Sequence, residues 1–412
     1  MNFTAAFMSS CTFAKTSRLQ VLEETSSAVP LKFTLEQSAN YNLFEQWGEG
    51  IGGSKAFLRA LEVINSGQCQ LLFPTVYDNQ GLLTAAYFSV LPLDDSLIQS
   101  FTNYSADGAK DFLGRVSAQL VYPLLKGGRE KTILMVGNPH VSGSYATVFR
   151  PGTSDGYKAE LLRYMMAQTQ REAGPFDVWI VKDCSINVEL KSKQANAFIP
   201  VPTLPLMQII LRPEWHSFTD YLNAMSAKYR IRAKAALKRA AELETECWDF
   251  EQILGHQSEI EELYASVFNA AKFRYHPLPF AYIKKLTQYS NESPFRFTVW
   301  KHAGKLIGFS LLLCKGDFAD AHLVGLDYAY NRSHALYLNM LYRYISDGID
   351  LGIRQLNLGR TAMEIKSTVG AEPYEHFVYF KFKNKLRHNL AGCLASGVGH
   401  ETWVQRHPFK AE

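Results

Sequence analysis

The chain has 412 residues, 47% hydrophobic and 20% charged, proportions that exclude a mainly disordered chain because enough apolar surface is present to offset ordering entropy. Lys and Arg number 43 against 39 Asp and Glu, and the resulting +4 is too small an excess to point to DNA from bulk charge. Six cysteines without a CxxC unit argue against a zinc site of the usual spacing and for reduced thiols in a cytoplasmic protein. The N-terminal stretch lacks a basic segment followed by a long apolar run, so no secretory signal is expected. No segment approaches the roughly 18 apolar residues of a membrane span.

In chain order, the first thirty residues are Ser/Thr-rich and read as a loose tail or edge element. KAFLRALEVINS (55–66) sets Phe57, Leu58, Leu61 and Ile64 on one helical face. Strand-like runs at 69–77 and 82–92 flank Gly81 and predict a hairpin. Residues 107–126 read as a helix, 131–137 as a buried strand and 144–149 as another. A helix over 157–174 stops at Gly174 and a strand follows at 176–182. The loop VGNPHVSGSY (136–145) suits a ligand, although turn chemistry explains it equally well. Pro200, Pro202 and Pro205 deny ladder hydrogen bonds and mark a boundary near 200, dividing 1–200 from 201–412.

The second half predicts a strand (206–211), a long helix (about 216 to 243), a strand at CWDFEQI and helices over 258–272 and 279–290. Strands at 295–302, 305–316 and 318–328 come next, then a helix (334–352) ended by Gly352. A strand (353–359), a polar loop and a last strand (376–382) close the series. This order is too antiparallel for a dinucleotide-binding fold. It matches the GNAT acyltransferase arrangement, and the first half repeats it more weakly. The expected fold class is α/β (α+β), with two tandem GNAT-like domains, each a mixed, mostly antiparallel sheet flanked by helices.

Three stretches carry a more specific resemblance. SFTDYLNAMSAKYRIRAKAALKRA (217–240) resembles the helix opening the catalytic domain of Fem-like, peptidyltransferase-related members of the GNAT superfamily. Residues 322–359 resemble that subfamily's central strand, helix and next strand. GRTAMEIKSTVGAEP (359–373) is similar to its Gly-to-Lys-to-Gly loop. The resemblance implies a degenerate N-terminal GNAT-like domain and a C-terminal acyltransferase domain. It implies transfer of an acyl or aminoacyl group to a small-molecule or peptide amine. The donor would be acyl-CoA or aminoacyl-tRNA, with no permanently bound cofactor, no metal and no DNA.

The same resemblance puts the family's functional lysine on Lys366, whose ammonium can support an oxyanion or a phosphate. Ile365 stands where the family often has an aromatic residue. Gly359 and Gly370 suit a loop that turns tightly or approaches a ligand closely. Arg360 and Thr361 open that loop and are assigned to substrate. Asp327 and Tyr328, at the end of the central strand, offer a carboxylate and a phenol for proton transfer; alternatively Asp327 caps a helix and Tyr328 packs. The stretch Asn331, Arg332, Ser333, His334 and Ala335 occupies the place of the family's CoA pyrophosphate loop but contains no glycine. Arg230 and Lys234, with Lys238 at further i,i+4 steps, put like charges on one helical face, either for an anionic acceptor or RNA or merely for solvent. Arg274, Tyr275 and His276 lie in a connection expected to border the acceptor. The rival reading is a non-catalytic GNAT-fold protein that binds an anionic ligand or envelope precursor.

Overall fold

The protein was analysed as a computed structural model that describes residues 30–36, 38–64, 69–92, 132–184, 198–271, 275–289, 294–395 and 403–410. The helix expected over 107–126 and the candidate residue Arg274 lie outside them. The first half runs β1 (Lys32–Glu36), α1 (Tyr41–Trp47), α2 (Lys55–Val63), β2 (Gln70–Asp78), β3 (Gly81–Ala86), β4 (Phe88–Pro92), β5 (Thr132–Val136), β6 (Thr147–Phe149), α3 (Asp155–Ala173), β7 (Val178–Cys184) and β8 (Ile199–Pro202). The second half begins with β9 (Leu206–Ile210), α4 (Phe218–Ala224), α5 (Ala227–Arg239), β10 (Glu244–Trp248), α6 (Phe250–Gly255), α7 (Gln257–Ala270) and α8 (Phe280–Gln288). It continues with β11 (Phe295–His302), β12 (Lys305–Lys315), β13 (Phe318–Leu326), α9 (Tyr328–His334), α10 (Leu336–Asp350), β14 (Gln355–Asn357), α11 (Met363–Thr368), β15 (Glu372–Tyr374), β16 (Phe377–Phe382) and α12 (Lys385–Ala395).

Two mixed sheets result. The first has the order β6-β3-β2-β4-β5-β7-β16-β8 with β1 also on β2, and the second β10-β11-β12-β13-β14-β9-β15. Each is antiparallel except for one parallel pair, β5 with β7 and β13 with β14. A parallel pair needs a long crossover, and helices α3 and α9–α10 supply it in the two halves. Strand β12 is buried from Leu306 to Cys314, which explains its unbroken apolar run. One continuous apolar cluster includes Phe57 and Phe176 of the first half with Phe297 and Phe309 of the second.

Several expectations are revised, among them the strand at CWDFEQI, where β10 ends at Trp248 and α6 begins at Phe250. The long helix over 216–243 breaks between α4 and α5, where Met225 and Ser226 are extended. The C-terminal segment takes the freed backbone groups: Ser226 N–H donates to Pro408 (2.9 Å) and Lys410 N–H to Ala224 (3.3 Å). The loop after β14 contains the short helix α11 and strand β15. Strand β16 leaves the second half and pairs between β7 and β8, so this strand is built into the first sheet. The hairpin at Gly81 forms as expected, with the left-handed φ of 106° that glycine adopts readily.

Candidate active site

The site arises where β13 and β14 part. They pair only at Phe318–Gln355, Ala319–Leu356 and Asp320–Asn357. Beyond that point β13 runs on beside β12, while the chain after β14 turns against β9: Leu358 N–H donates to Met207 (2.8 Å) and Met207 N–H to Gly359 (3.0 Å). On β13, Leu323 faces Leu311 and Ala321 faces Leu312, so His322 is the extra residue of a β-bulge. Bulges re-aim side chains, and this one falls at the mouth of the separation. A cavity of about 220 Å³ fills the gap, lined by Asp320, His322, Asn357, Arg360, Thr361 and Lys366, and by His140 to Ser142 of the first half.

A buried polar network forms one wall. The Asp320 carboxylate accepts from the Asn357 amide (2.7 Å), the Tyr145 hydroxyl (3.1 Å) and His322 Nδ1 (3.3 Å). Tyr282 Oη lies 2.8 Å from His322 Nε2. A carboxylate can only accept, so a neutral His322 donates from Nδ1–H and accepts the Tyr282 hydroxyl hydrogen bond at Nε2. Burial pushes the Tyr145 and Tyr282 phenols well above the ordinary tyrosine value, which keeps both as donors.

A second cluster joins the two halves. Asp183 is fully buried and lies 2.6 Å from Arg360 Nη2 and 2.8 Å from Lys182 Nζ, and it accepts from Gly143 N–H at 2.8 Å. Burial by itself would raise the Asp183 carboxyl, but Lys182 and Arg360 outweigh it and hold the group at about 2. Arg360 Nε is buried without a partner among the described residues. The neighbouring His140 is pushed down to about 4, first by burial and then by His276 and Lys182, so it is neutral at pH 7.

Lys366 lies on α11 and is 3% exposed. Its Nζ donates to the Arg360 carbonyl at 2.5 Å. Burial lowers its pKa to about 7, with the Asp320 charge opposing the fall. The approach to the lysine is strained. Thr361 and Ala362 have φ of 62° and 47°, a left-handed conformation that costs about 1–2 kcal/mol per non-glycine residue. Such strain persists where surrounding structure over-determines the backbone, as at ligand sites. Gly370 ends the segment at φ 95°, and a Cβ there would lie 2.4 Å from the Phe409 ring.

Of the residues singled out from sequence, Lys366, Arg360 and Thr361 meet at the cavity. Tyr275 is 7% exposed and its ring lies 5.5 Å from that of His140, while His276 is beside Tyr275 at 4.5 Å. The connection therefore borders the cavity wall through His140.

Asp327 and Tyr328 do not line the cavity. Asp327 caps α9 by accepting from Ala329 N–H (3.0 Å) and pairs with Lys305 (3.0 Å), and Tyr328 is 48% exposed. The structure gives them the capping and surface roles in place of proton transfer. In the 331–335 stretch, Asn331 Oδ1 accepts from Tyr337 N–H (3.0 Å), the Ser333 carbonyl accepts from Arg239 Nε (2.9 Å), and His334 faces Glu242 (2.7 Å). Ala335 is left-handed and separates α9 from α10. Arg332 is exposed. Arg230 and Lys234 lie on α5 away from the cavity lining, with Arg230 donating to the Met225 carbonyl (3.2 Å).

Asp320, His322, Tyr145, Tyr282, Asn357 and Asp183 were not anticipated. Two titratable side chains at i and i+2 inside the apolar run FADAHLVGL were the available signal for the first two. The loop 136–145 supplies His140 to the cavity lining and Tyr145 to the Asp320 network.

Residues 227–375 match the family of the Acetyltransferase (GNAT) domain. The match covers the larger part of the second half, the part that contains the β13–β14 cavity. FemX shares the fold, with a TM-score of 0.51 and 9% identity over 87% of this chain and 100% of FemX. A tandem GNAT protein from the clavulanic acid biosynthesis pathway aligns at TM-score 0.45 and 10% identity, over 86% and 99% of the two chains. The C-terminal domain of a putative lysylphosphatidylglycerol synthetase from Agrobacterium fabrum aligns at 0.45 and 12%, over 83% and 92%. No curated protein matches the chain significantly in sequence. Among the described residues no helix is long and apolar enough to cross a membrane.

Proposed function

We propose that this GNAT protein transfers an acyl or aminoacyl group from a thioester or ester donor to an amine, with the chemistry in the cavity between β13 and β14. The observation that carries the reading is a buried lysine of near-neutral pKa beside a carboxylate, in a cavity at the parting of the two strands. A lysine with a pKa of about 7 is a base matched to neutral pH. Neutral Lys366 keeps one lone pair while an N–H donates to the Arg360 carbonyl. That lone pair takes a proton from the acceptor ammonium, and the freed amine attacks the donor carbonyl carbon. The new Lys366 ammonium is supported by Asp320 and stabilises the oxyanion. It then returns the proton to the departing thiolate or alkoxide as the tetrahedral intermediate collapses, and the second proton of the attacking nitrogen passes to water.

Asp320 acts on Lys366 through its charge, and His322 and Tyr282 hold Asp320 in place. Arg360, with Nε unpartnered, and Thr361 meet the substrate. The segment around Tyr275 and His276 borders the acceptor side through His140, and Arg230 and Lys234, off the cavity lining on α5, would meet an anionic part of the acceptor farther out.

The donor is narrowed by the 331–335 stretch. A CoA pyrophosphate needs close backbone approach and free N–H groups at a helix start. Here there is no glycine, and the Tyr337 N–H is already bonded to Asn331. This favours an aminoacyl ester such as aminoacyl-tRNA over tightly bound acyl-CoA. The reading is tested by supplying acetyl-CoA or aminoacyl-tRNA with a panel of amines, and following thiol release or aminoacyl transfer. Turnover that disappears in Lys366→Met supports it. Absence of turnover with every donor, or turnover unchanged in the variant, rejects it.

A further inference from the structure

Outside the cavity, Glu242, His302 and His334 bring their ligating atoms within 4.8 Å of one another. They come from three separate places: Glu242 from the turn after α5, His302 from the end of β11 and His334 from the end of α9. None lines the cavity.

The Ser333 hydroxyl lies 2.8 Å from His334 Nδ1 and 3.2 Å from the Tyr330 carbonyl, so it can donate to either. The Tyr330 carbonyl also lies 3.3 Å from Nδ1. On the other side of the ring, Nε2 lies 2.7 Å from Glu242 Oε1. That contact is an ordinary hydrogen bond when Nε2 carries the ring proton, and a pair of lone pairs open to one cation when Nδ1 carries it. A second imidazole stands at the same place, with the His302 ring 5.2 Å from that of His334. A hydrogen bond employs only His334 and Glu242, whereas one divalent ion uses all three groups. With the proton on Nδ1, its bonds to Ser333 and Tyr330 are the outer arrangement that orients metal-bound histidines.

We propose that Glu242, His302 and His334 bind one borderline divalent ion, zinc foremost, with water as the fourth ligand. Two imidazoles and a carboxylate suit that class, and tetrahedral bonds of about 2.0–2.2 Å are within reach. His334 is held in place at 8% side-chain exposure, whereas Glu242 at 65% is free to open by the small distance an ion needs. Two neighbouring cations are engaged elsewhere, Arg239 with the Ser333 carbonyl and Lys305 with Asp327. The ion would tie α5, the β11–β12 hairpin and α9 together, and so hold the left-handed Ala335 between α9 and α10. Its role is structural, apart from the acyl-transfer cavity.

The test titrates the full chain, stripped with a chelator, with zinc chloride in a calorimeter, with magnesium chloride as control. One zinc per chain with a rise in Tm, no magnesium response, and visible Co²⁺ absorption bands of nitrogen–oxygen ligation are expected. His302→Gln and Glu242→Gln should each weaken zinc binding by about tenfold or more, while circular dichroism remains that of the wild type. His302→Ala serves as a second variant should the first fail to fold. Absence of zinc binding overturns the site, as does binding of equal affinity in the wild type and the folded variants.

Discussion

Replacing Lys366 with Met separates the cost of this lysine from its use. The side chains have similar length, so the cavity wall keeps its shape. Burial moves the amine from 10.5 to about 7, which at about 1.4 kcal/mol per pH unit corresponds to about 5 kcal/mol against the buried ammonium. At pH 7, where half the lysine is charged, about 4 kcal/mol of that cost remains. Met removes it but leaves the Arg360 carbonyl without its donor, a loss of about 1–2 kcal/mol. The variant should therefore be more stable by about 2–3 kcal/mol, a Tm rise of roughly 5–10 °C for domains of this size. The unfolded lysine holds its proton up to 10.5 and the folded one only to about 7. Stability of the wild type accordingly rises between those pH values, and the variant's advantage is largest below 7 and vanishes toward 10.5. Activity moves the other way. kcat falls by about 10²–10³ with KM nearly unchanged, and the wild-type rise of kcat/KM through about pH 7 disappears. Thermal unfolding across pH needs no substrate and is the first measurement. A variant less stable than the wild type at pH 7, or one that keeps its kcat, refutes the argument.

Asp320→Asn sets an amide among the donors Tyr145, Asn357 and His322. Chemical denaturation should show a loss of about 3 kcal/mol, and the rising limb of the pH–rate profile should move to lower pH, since the charge that raises the Lys366 pKa is gone. Gly370→Ala forces a side chain into a left-handed backbone and against Phe409; a urea midpoint corresponding to a loss of about 2 kcal/mol or more is expected, and an unchanged midpoint would show that the C-terminal segment yields freely. Replacing Arg230 and Lys234 together with Gln should weaken acceptor or RNA binding and flatten its salt dependence, with stability changed by less than about half a kcal/mol. Unchanged binding and slope would mean that the face is only solvated.

Periodicity alone determined most elements of the second half, because apolar spacing reports directly which face each segment buries. The run of β12 and the stripe Leu336, Met340, Tyr344 of α10 are legible for that reason. The resemblance in GRTAMEIKSTVGAEP carried Lys366, Arg360 and Thr361 to the cavity that the structure contains. What local pattern does not encode is where backbone groups find partners far along the chain. The break at Met225 depends on residues 408–410, and the placement of β16 depends on β7 and β8. Asp327 looked chemical in sequence, yet a helix start and Lys305 take its carboxylate. Asp320 and His322 looked like interruptions of a strand. Only the parting of β13 from β14, the bulge at His322 and the arrival of Tyr145 from the other half turn them into a connected site, because burial and hydrogen-bond geometry are properties of the assembled fold.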